Sequence, residues 1–204
     1  MTSHDVVDQL RKIFGVKKIG HAGTLDPLAT GVLVIGVGRE ATKKLAIEVQ
    51  KEKEYLAEIT LGVTSTTDDE EGIKTKFASL KNGDNKPPTL MEVKAVTSKF
   101  IGQIKQTPPV YSAVKIKGQE AYKRVRKGER VELNPREVKI KAIEILNYQW
   151  PKLELKIITG PGVYIRAIAR DVGEALNVGG YLSGLTRTRV GEFTLADAYQ
   201  LSDL

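Results

Sequence analysis

Two hydrophobic periodicities alternate along this chain, and this alternation restricts the possible folds more than any other feature of the sequence. In residues 2–14 the apolar side chains recur every three or four positions. That spacing predicts an amphipathic helix, which Thr2 or Ser3 can cap and Gly15 can end. Residues 53–62 instead alternate apolar with mostly polar side chains, as a half-buried strand does. The pattern favours one domain of the mixed α/β class.

The other predicted elements continue the alternation. Helices are expected at 40–50, from a Thr89 cap to Phe100, at 163–176 and at the C-terminal end, and strands at 32–35, 137–147, 152–159 and 185–194. Turns or loops are expected at Gly20–Gly31, at the acidic turn Asp68–Gly72 and at the polar, proline-containing segment Lys81–Pro88. The basic stretch 110–136 is expected to be an excursion from the domain.

The composition excludes several kinds of chemistry. The chain has no cysteine and two histidines, which excludes disulfides, thiolate nucleophiles and cysteine metal sites. We therefore expect catalysis, if there is any, without a bound metal. No apolar run approaches the roughly 18 residues that a membrane-spanning helix needs, and the first residues do not have the pattern of a leader. A cytoplasmic enzyme or binding protein without membrane association is the expectation.

Positive charge is concentrated in one part of the sequence. The whole chain carries a net charge of +7, and the segment from Lys115 to Lys141 contains ten basic and four acidic residues. A local excess of this kind is typical of proteins that bind a phosphate backbone, because released counterions favour association. A solvated, lysine-rich face explains the charge equally well. Charge alone does not decide between the two.

The segment Gly20–Gly31 is the best candidate for a reactive loop, because it lies between a predicted helix and an apolar strand. It lacks the glycine spacing of either common phosphate-binding loop. Asp26-Pro27 is typical of a structural turn, and from spacing alone this is the better interpretation. As a catalytic group, Asp26 is the strongest nucleophile or base in the loop.

His21-Ala22-Gly23-Thr24-Leu25-Asp26-Pro27-Leu28-Ala29-Thr30-Gly31 resembles the signature loop of TruB-type tRNA pseudouridine synthases. Lys53-Glu54-Tyr55 resembles the family's Lys-x-Tyr strand, and Gly162-Val163-Tyr164-Ile165-Arg166 its Gly-x-Tyr-Ile-Arg element. Gln106–Lys115 resembles the start of its RNA-gripping thumb, and Leu185–Arg189 its late strand. The motifs occur in family order and cover nearly the whole chain. This resemblance favours the catalytic interpretation of Asp26 over the turn.

The resemblance implies the pseudouridine synthase fold, a mixed and mostly antiparallel central sheet flanked by helices. Asp26 is then the carboxylate that attacks the target nucleoside, at the ribose or at the base, so that the uracil detaches, rotates and rejoins the ribose through carbon. A carboxylate is a competent covalent catalyst, whereas serine or lysine would need separate activation. Arg166 is expected to pair with Asp26 and keep it ionised, and no cofactor is needed.

Four further residues are implied to contact the RNA, which must release the target base from its stack. Tyr55 corresponds to the stacking tyrosine, although a strand tyrosine is more commonly part of the core. Tyr164 is implied to contact the flipped uracil, and Leu185 to close the same pocket. His21 corresponds to the residue that fills the space left by the flipped bases. Without the motif, His21 would be taken for an exposed loop residue.

The expected organisation is a single catalytic domain over 1–204 with a thumb-like, RNA-binding insertion at about 106–136. The charge excess begins in the same region, which supports the phosphate-binding interpretation. The candidates for contact with the RNA backbone are Lys115, Lys117, Lys123, Arg124, Arg126 and Lys127. Each is expected to be replaceable singly at modest cost, because such contacts position the RNA and do not specify its sequence.

The family's opening strand with its Lys-Pro-x-Gly turn, and its C-terminal RNA-binding domain, are not found in these 204 residues. Because the RNA-guided branch of the family typically carries that domain, the stand-alone bacterial type is favoured. The expected substrate is then uridine 55 in the T loop of tRNA, with no obligatory protein partner. The alternatives are an RNA-guided synthase subunit and a non-catalytic RNA-binding or RNA-folding protein.

Overall fold

The framework of the fold is a seven-stranded sheet, seen here in a computed structural model that describes residues 1–77 and 86–204. The helices are α1 (Ser3–Phe14), α2 (Gly38–Gln50), α3 (Leu90–Ser98), α4 (Ala121–Arg126) and α5 (Ile165–Ala175). The strands are β1 (Ile19–Ala22), β2 (Ala29–Gly31), β3 (Val34–Val37), β4 (Lys53–Leu61), β5 (Val63–Ser65), β6 (Lys74–Lys76), β7 (Gly102–Gln106), β8 (Lys115–Ile116), β9 (Gln119–Glu120), β10 (Arg136–Gln149), β11 (Lys152–Thr159), β12 (Gly180–Val190) and β13 (Phe193–Thr194).

The strands of the main sheet lie in the order β13-β12-β4-β11-β10-β7, and all these neighbours are antiparallel. The seventh strand, β2, pairs with β12 in parallel. The expected mixed, mostly antiparallel sheet is therefore confirmed. Three two-stranded pairs, β1–β3, β5–β6 and β8–β9, lie outside this sheet.

The main core lies between the sheet and α5. On β4 the buried side chains include Ala57 and Ile59, and on α5 they include Ile168 and Val172. All four are at most 1% exposed. Burying an isoleucine or valine side chain contributes about 1.5–3 kcal/mol, so this interface fixes the position of α5 on the sheet. Because α5 begins beside the candidate reactive loop, the core also fixes the first residues of that helix.

Two of the predicted helix starts are confirmed in detail. The Thr2 hydroxyl accepts a hydrogen bond from the Asp5 backbone N–H, and the Asp5 carboxylate accepts one from the Thr2 backbone N–H, which forms a capping box at α1. Thr89 and Glu92 form the same arrangement at α3. Gly15 ends α1 in a left-handed conformation, with φ of +63°. Ser3, the alternative cap, is instead the first helical residue.

Several predicted elements were wrong or displaced. Residues 20–31 contain β1 and β2 as well as a turn, because pairing with distant partners overrides the high glycine content. The strand predicted at 32–35 lies at Val34–Val37, and β12 begins at Gly180. In place of the C-terminal helix the chain forms two 3₁₀ turns, Leu195–Asp197 and Leu201–Asp203.

Other differences concern segments without a clear period. β7 and the short helix α4 were not predicted, because both are too short to show a period in the sequence. Of the segment 81–88, residues 81–85 lie outside the described residues, and Lys86–Pro88 carry no helix or strand. Within the described ranges, no helix is both long enough and apolar enough to cross a membrane.

The parallel pairing of β2 with β12 depends on Gly31. This residue has φ of +102°, and a Cβ atom there would lie 2.2 Å from the Arg187 carbonyl oxygen. Gly38 has a similar φ of +84°, but a Cβ atom at Gly38 would meet nothing within 4 Å. Both glycines therefore have a left-handed backbone, but there is room for a Cβ atom at Gly38 and none at Gly31.

We expect Gly31→Ala to reduce the free energy of unfolding by more than Gly38→Ala does. In both variants an alanine must adopt a left-handed backbone conformation, which costs roughly 1–2 kcal/mol. In Gly31→Ala the added Cβ atom also clashes with β12, which costs about 1–3 kcal/mol more. Urea unfolding of the parent and the two variants measures the difference. Equal losses in the two variants would show that β2 does not lie against β12 as described.

Candidate active site

The loop between β1 and β2 presents the Asp26 carboxylate, whose side chain is 33% exposed. The Ala29 amide donates to the Asp26 carbonyl at 2.9 Å, which closes a tight turn over these four residues. The Leu25 amide donates to the Ser3 hydroxyl at 2.9 Å, which ties the loop to the start of α1. The turn predicted from Asp26-Pro27 therefore exists, and it holds the carboxylate at the surface.

Arg166, in the first turn of α5, binds this carboxylate through two hydrogen bonds. Its Nε donates to Oδ2 of Asp26 at 2.8 Å, and its Nη2 donates to Oδ1 at 3.1 Å. Such two-point contacts fix the plane of a carboxylate as well as its charge. The Arg166 side chain is 6% exposed, so the cation is nearly removed from water. The pairing of Asp26 with Arg166 is present as expected.

The remaining Arg166 contacts join two other segments to the loop. Its guanidinium donates to the Thr67 carbonyl at 3.2 Å and to the Tyr111 carbonyl at 3.0 Å. Its Nη1 also lies 3.2 Å from the Asp69 carboxylate. The Asp69 side chain is 5% exposed, so it is a second, buried counter-charge for the cation.

Asp69 was not predicted as a site residue. It belongs to an acidic turn with four consecutive carboxylates, and nothing in that run marks which one points inward. In the structure the Thr67 hydroxyl and the Glu71 amide both donate to Asp69, at 2.5 and 3.1 Å. These bonds orient the carboxylate toward Arg166.

Tyr55, on β4, is 7% exposed and packs in the main core, as the alternative interpretation of a strand tyrosine predicted. Burial raises the pKa of its phenol, the Arg187 guanidinium partly offsets this effect, and the Asp26 carboxylate adds to it. The phenol is therefore electrostatically coupled to the candidate nucleophile. Tyr55 can therefore belong to the main core and still lie beside the candidate active site.

Arg187, on β12, is 2% exposed and was not predicted as a site residue, although it lies in the late-strand motif. Its Nε donates to the Val32 carbonyl at 2.8 Å, and its Nη2 donates to the Gly23 carbonyl at 3.1 Å. Burial lowers its pKa, and the Tyr55 phenol and the Asp26 carboxylate oppose that effect. Arg187 thus links the reactive loop to β12.

Tyr164 immediately precedes α5, where its backbone is held by a side chain that sequence analysis missed. Gln106, 1% exposed, donates to the Tyr164 carbonyl at 3.1 Å and accepts from its amide at 2.9 Å. Burial raises the pKa of the half-buried Tyr164 phenol; Ser112 and Arg166 oppose the shift. Gln106 had a signal in the sequence, since it opens the thumb motif.

His21 and Leu185 lie on the strands that flank the loop. His21, on β1, is half-buried, and within the described residues its Nδ1 has no hydrogen-bond partner. Burial and the Arg187 cation lower its pKa, so the ring is neutral near pH 7. Leu185, on β12, is half-buried and lies between Ala29 of β2 and Ala57 of β4 in the sheet register.

The basic insertion forms the β8–β9 hairpin and α4. Two of its six candidate residues are paired within the chain, Lys123 with Glu120 at 3.1 Å and Arg124 with Glu129 at 2.6 Å. The other four, Lys115, Lys117, Arg126 and Lys127, are exposed and form no ion pair with a described residue. The insertion thus carries basic groups that are available to a partner.

The described part of the chain contains no group of three or more histidine, aspartate or glutamate side chains that could hold a metal ion. What the geometry does provide is a carboxylate at the surface, oriented by a buried guanidinium. Two phenols, one half-buried and one buried, are electrostatically coupled to that carboxylate. The arrangement suits covalent chemistry by Asp26.

Comparisons with known proteins agree with this geometry. Residues 11–165 match the family model described as TruB family pseudouridylate synthase (N terminal domain). The tRNA pseudouridine synthase B of Corynebacterium efficiens is 47% identical over 208 residues, which cover 100% of this chain and 68% of that protein. The tRNA pseudouridine synthase B of Nocardia farcinica is 48% identical over 209 residues, which cover 100% of this chain and 66% of that protein.

Solved structures also match nearly the whole chain. One match is a chain in a Cbf5-Nop10-Gar1 complex, with a TM-score of 0.71 and 29% identity. The matched region covers 95% of this chain and 46% of that chain. An H/ACA RNP bound to a substrate RNA containing 2'-deoxyuridine gives a TM-score of 0.67 at 27% identity, with 95% and 45% coverage. This chain therefore spans less than half of those chains. The expected pseudouridine synthase fold is confirmed, and the chain belongs to the TruB family of pseudouridylate synthases.

Proposed function

We propose that this chain isomerises uridine to pseudouridine in tRNA, with Asp26 as the covalent catalyst. The observation that carries this proposal is the two-point contact between the accessible Asp26 carboxylate and the buried Arg166 guanidinium, in a member of the TruB family. The curated relatives are named tRNA pseudouridine synthase B, which supports tRNA as the substrate. Uridine 55 of the T loop is the nucleotide we assign.

The proposed reaction needs a nucleophile that is charged and held in place. Arg166 holds the Asp26 carboxylate in place, because its two hydrogen bonds fix the plane of that group and put a positive charge beside it. Attack by Asp26, at the ribose or at the base, leads to cleavage of the bond between uracil N1 and the ribose. The base rotates and C5 forms the new bond; C5 loses a proton and N1 gains one. The reaction is an isomerisation, so no co-substrate is consumed.

The residues around Asp26 are assigned to the flipped base. Unstacking a nucleotide costs a few kcal/mol, and aromatic stacking offsets part of this cost. We assign stacking to Tyr55, contact with the uracil to Tyr164, and closure of the pocket to Leu185. His21 is assigned to the space that the flipped bases leave, where an uncharged ring suits stacking. Its lowered pKa supports this assignment.

We further propose that 1–204 acts as one catalytic domain with 106–136 as its thumb. The unpaired basic side chains of the thumb suit the phosphates of the tRNA T arm. A tRNA substrate places the protein in the cytoplasm. No obligatory protein partner is proposed.

Two alternatives are less well supported. An RNA-guided synthase subunit is suggested by the similarity to a Cbf5-Nop10-Gar1 complex, but identity there is 29%, against 47% for a tRNA pseudouridine synthase B. A non-catalytic RNA-binding protein would have no need for the buried Arg166 to orient an accessible carboxylate. The presence of both Asp26 and Arg166 favours an enzyme.

Replacement of Asp26 tests the chemistry. Asp26→Asn keeps the shape of the side chain and removes its charge, so pseudouridine formation should fall by more than about a thousandfold, as when a covalent catalyst is removed. Pseudouridine is mapped in an unmodified tRNA transcript by chemical probing after incubation with parent or variant. Melting and RNA-binding measurements serve as controls; Asp69 still meets the Arg166 charge, so the variant should fold. Modification by Asp26→Asn at the parent's rate would exclude Asp26 from the chemistry.

The ion pairs of the thumb predict unequal effects of charge removal. Lys127 forms no ion pair with a residue that the structure describes, so Lys127→Gln should reduce the slope of log affinity against log salt by about 0.7–0.9, the loss of one phosphate contact. Lys123 is already engaged by Glu120, and Lys123→Gln should change the slope less. Titration of a T-arm RNA at several salt concentrations measures both. Slopes equal to the parent's in both variants would contradict RNA binding by the thumb.

The lowered pKa of His21 predicts a pH dependence of stability. The unfolded chain binds the proton better than the folded one, so stability from His21 is complete above about pH 6.5 and is lost as pH falls toward the folded pKa. His21→Phe should therefore lose less thermal stability than the parent between about pH 7 and pH 5. Thermal melting of the parent and of His21→Phe across this pH range measures the difference. Identical pH profiles for parent and His21→Phe would contradict burial of the ring.

A further inference from the structure

Arg170 lies one helical turn after Arg166 on α5 and connects the same parts of the molecule. We propose that Arg170 is a positioning residue that fixes the orientation of the thumb for RNA binding. It does so by tying the thumb root, defined here as residues 107–111, to the acidic turn. The inference rests on the proposed function, because it assumes that the thumb binds RNA.

The three contacts of Arg170 define this connection. Its Nη1 donates to the Asp68 carboxylate at 2.8 Å, and its Nη2 donates to the Thr107 carbonyl at 2.8 Å. Its Nε donates to the neighbouring Asp171 carboxylate at 2.8 Å, which holds the guanidinium in place. The side chain is 20% exposed, so these bonds are only partly screened by water.

Arg166 and Arg170 form a matched pair. Arg166 binds Asp69 of the acidic turn and the Tyr111 carbonyl of the thumb root; Arg170 binds Asp68 and the Thr107 carbonyl. Residues four apart lie on the same helix face, about 6 Å along its axis. The thumb root is therefore held at both ends by side chains from one helix.

The sequence of the thumb root makes the two attachments effective. Thr107 and Tyr111 enclose Pro108 and Pro109, whose rings fix φ and provide no backbone N–H donors. A short, stiff segment held at both ends transmits its orientation to the chain that follows. Without Arg170, the segment would be held by Gln106 before it and by Arg166 at Tyr111, and Thr107 would lose its contact with α5.

The acidic turn is shaped to present Asp68. Asp68 has φ of +61°, a left-handed conformation that non-glycine residues adopt rarely, at roughly 1–2 kcal/mol. The Asp68 carbonyl accepts from the Leu182 amide at 3.0 Å, so the turn is anchored to β12 as it holds this conformation. Asp68 is thus a fixed point from which Arg170 can hold the thumb root.

Loss of Arg170 should act on RNA binding more than on chemistry. The Asp26–Arg166 contact does not involve Arg170, so the nucleophile keeps its orientation. The unpaired basic side chains of the thumb, in contrast, depend on the angle at its root to meet the phosphates. A loosened root therefore weakens binding and leaves the reaction of bound RNA nearly unchanged.

The test compares Arg170→Gln with the matched control Arg189→Gln. Arg189 has one ion pair, with Glu52 at 3.0 Å, and one carbonyl contact, with Gly191 at 2.9 Å, where Arg170 has two ion pairs and one carbonyl contact. The exposure of Arg189 is similar, 26%, and among the described residues its hydrogen bonds and ion pairs do not include the thumb root. For Arg170→Gln we expect the Kd for unmodified tRNA transcript to rise about five- to tenfold. Its single-turnover rate at saturating RNA should stay within about twofold of the parent's. Arg189→Gln should melt lower than the parent with an unchanged Kd.

A second variant covers the case in which Arg170→Gln does not fold. Arg170→Lys keeps a charge for Asp68 but, as a point donor, cannot also hold Thr107 in the same geometry. Its Kd should rise as in Arg170→Gln with a smaller loss in melting temperature. The inference would be overturned if a folded Arg170 variant had the same Kd as Arg189→Gln. It would also be overturned if a folded Arg170 variant had an unchanged Kd and a slower rate at saturating RNA. Neither result would contradict the proposed function. A parent that binds no RNA would overturn the proposed function as well.

Discussion

The Arg166 guanidinium is almost completely removed from water, and the protein must therefore supply partners for its charge and its donors. It does so from three segments, the loop of Asp26, the acidic turn with Asp69, and the Tyr111 carbonyl. Removing one partner of a buried ion pair is costly, because the other charge is left uncompensated. The two carboxylates divide this task. Asp69 is buried and stabilises the cation, whereas the Asp26 carboxylate remains accessible to solvent.

The periodic elements of the fold were predictable from the sequence, because a helix or strand that packs on a core must repeat its apolar side chains. The helices α1 and α3 and the strands β4, β10 and β11 are examples. The parts that failed have no such signal. β2 is three residues long, and its partner on β12 lies more than 150 residues away. Its conformation is set by that partner and by the backbone freedom of Gly31.

The residues of the candidate site were likewise only partly predictable from the sequence. Asp26 and Arg166 were identified through a resemblance to a family, and the structure brings them into contact. Asp69, Gln106 and Arg187 were missed, because each is a polar side chain whose function depends on burial. A sequence gives no sign of which carboxylate in a run points inward, or of which arginine in a strand faces the interior. Their roles became visible only through their partners and their exposure.

The separation of the paired residues along the chain also bears on how the protein is made. Asp26 and its partner Arg166 are 140 residues apart, and Thr30 meets Thr186 across 156 residues. Domains are synthesised from the N-terminus at about 5–20 residues per second, so the Asp26 loop leaves the ribosome several seconds or more before Arg166 and β12 do. Until Arg166 has followed, its guanidinium cannot orient the Asp26 carboxylate. The Asp26 carboxylate can therefore meet its guanidinium only after residue 166 has been added, and β2 can complete its pairing with β12 only after residue 187.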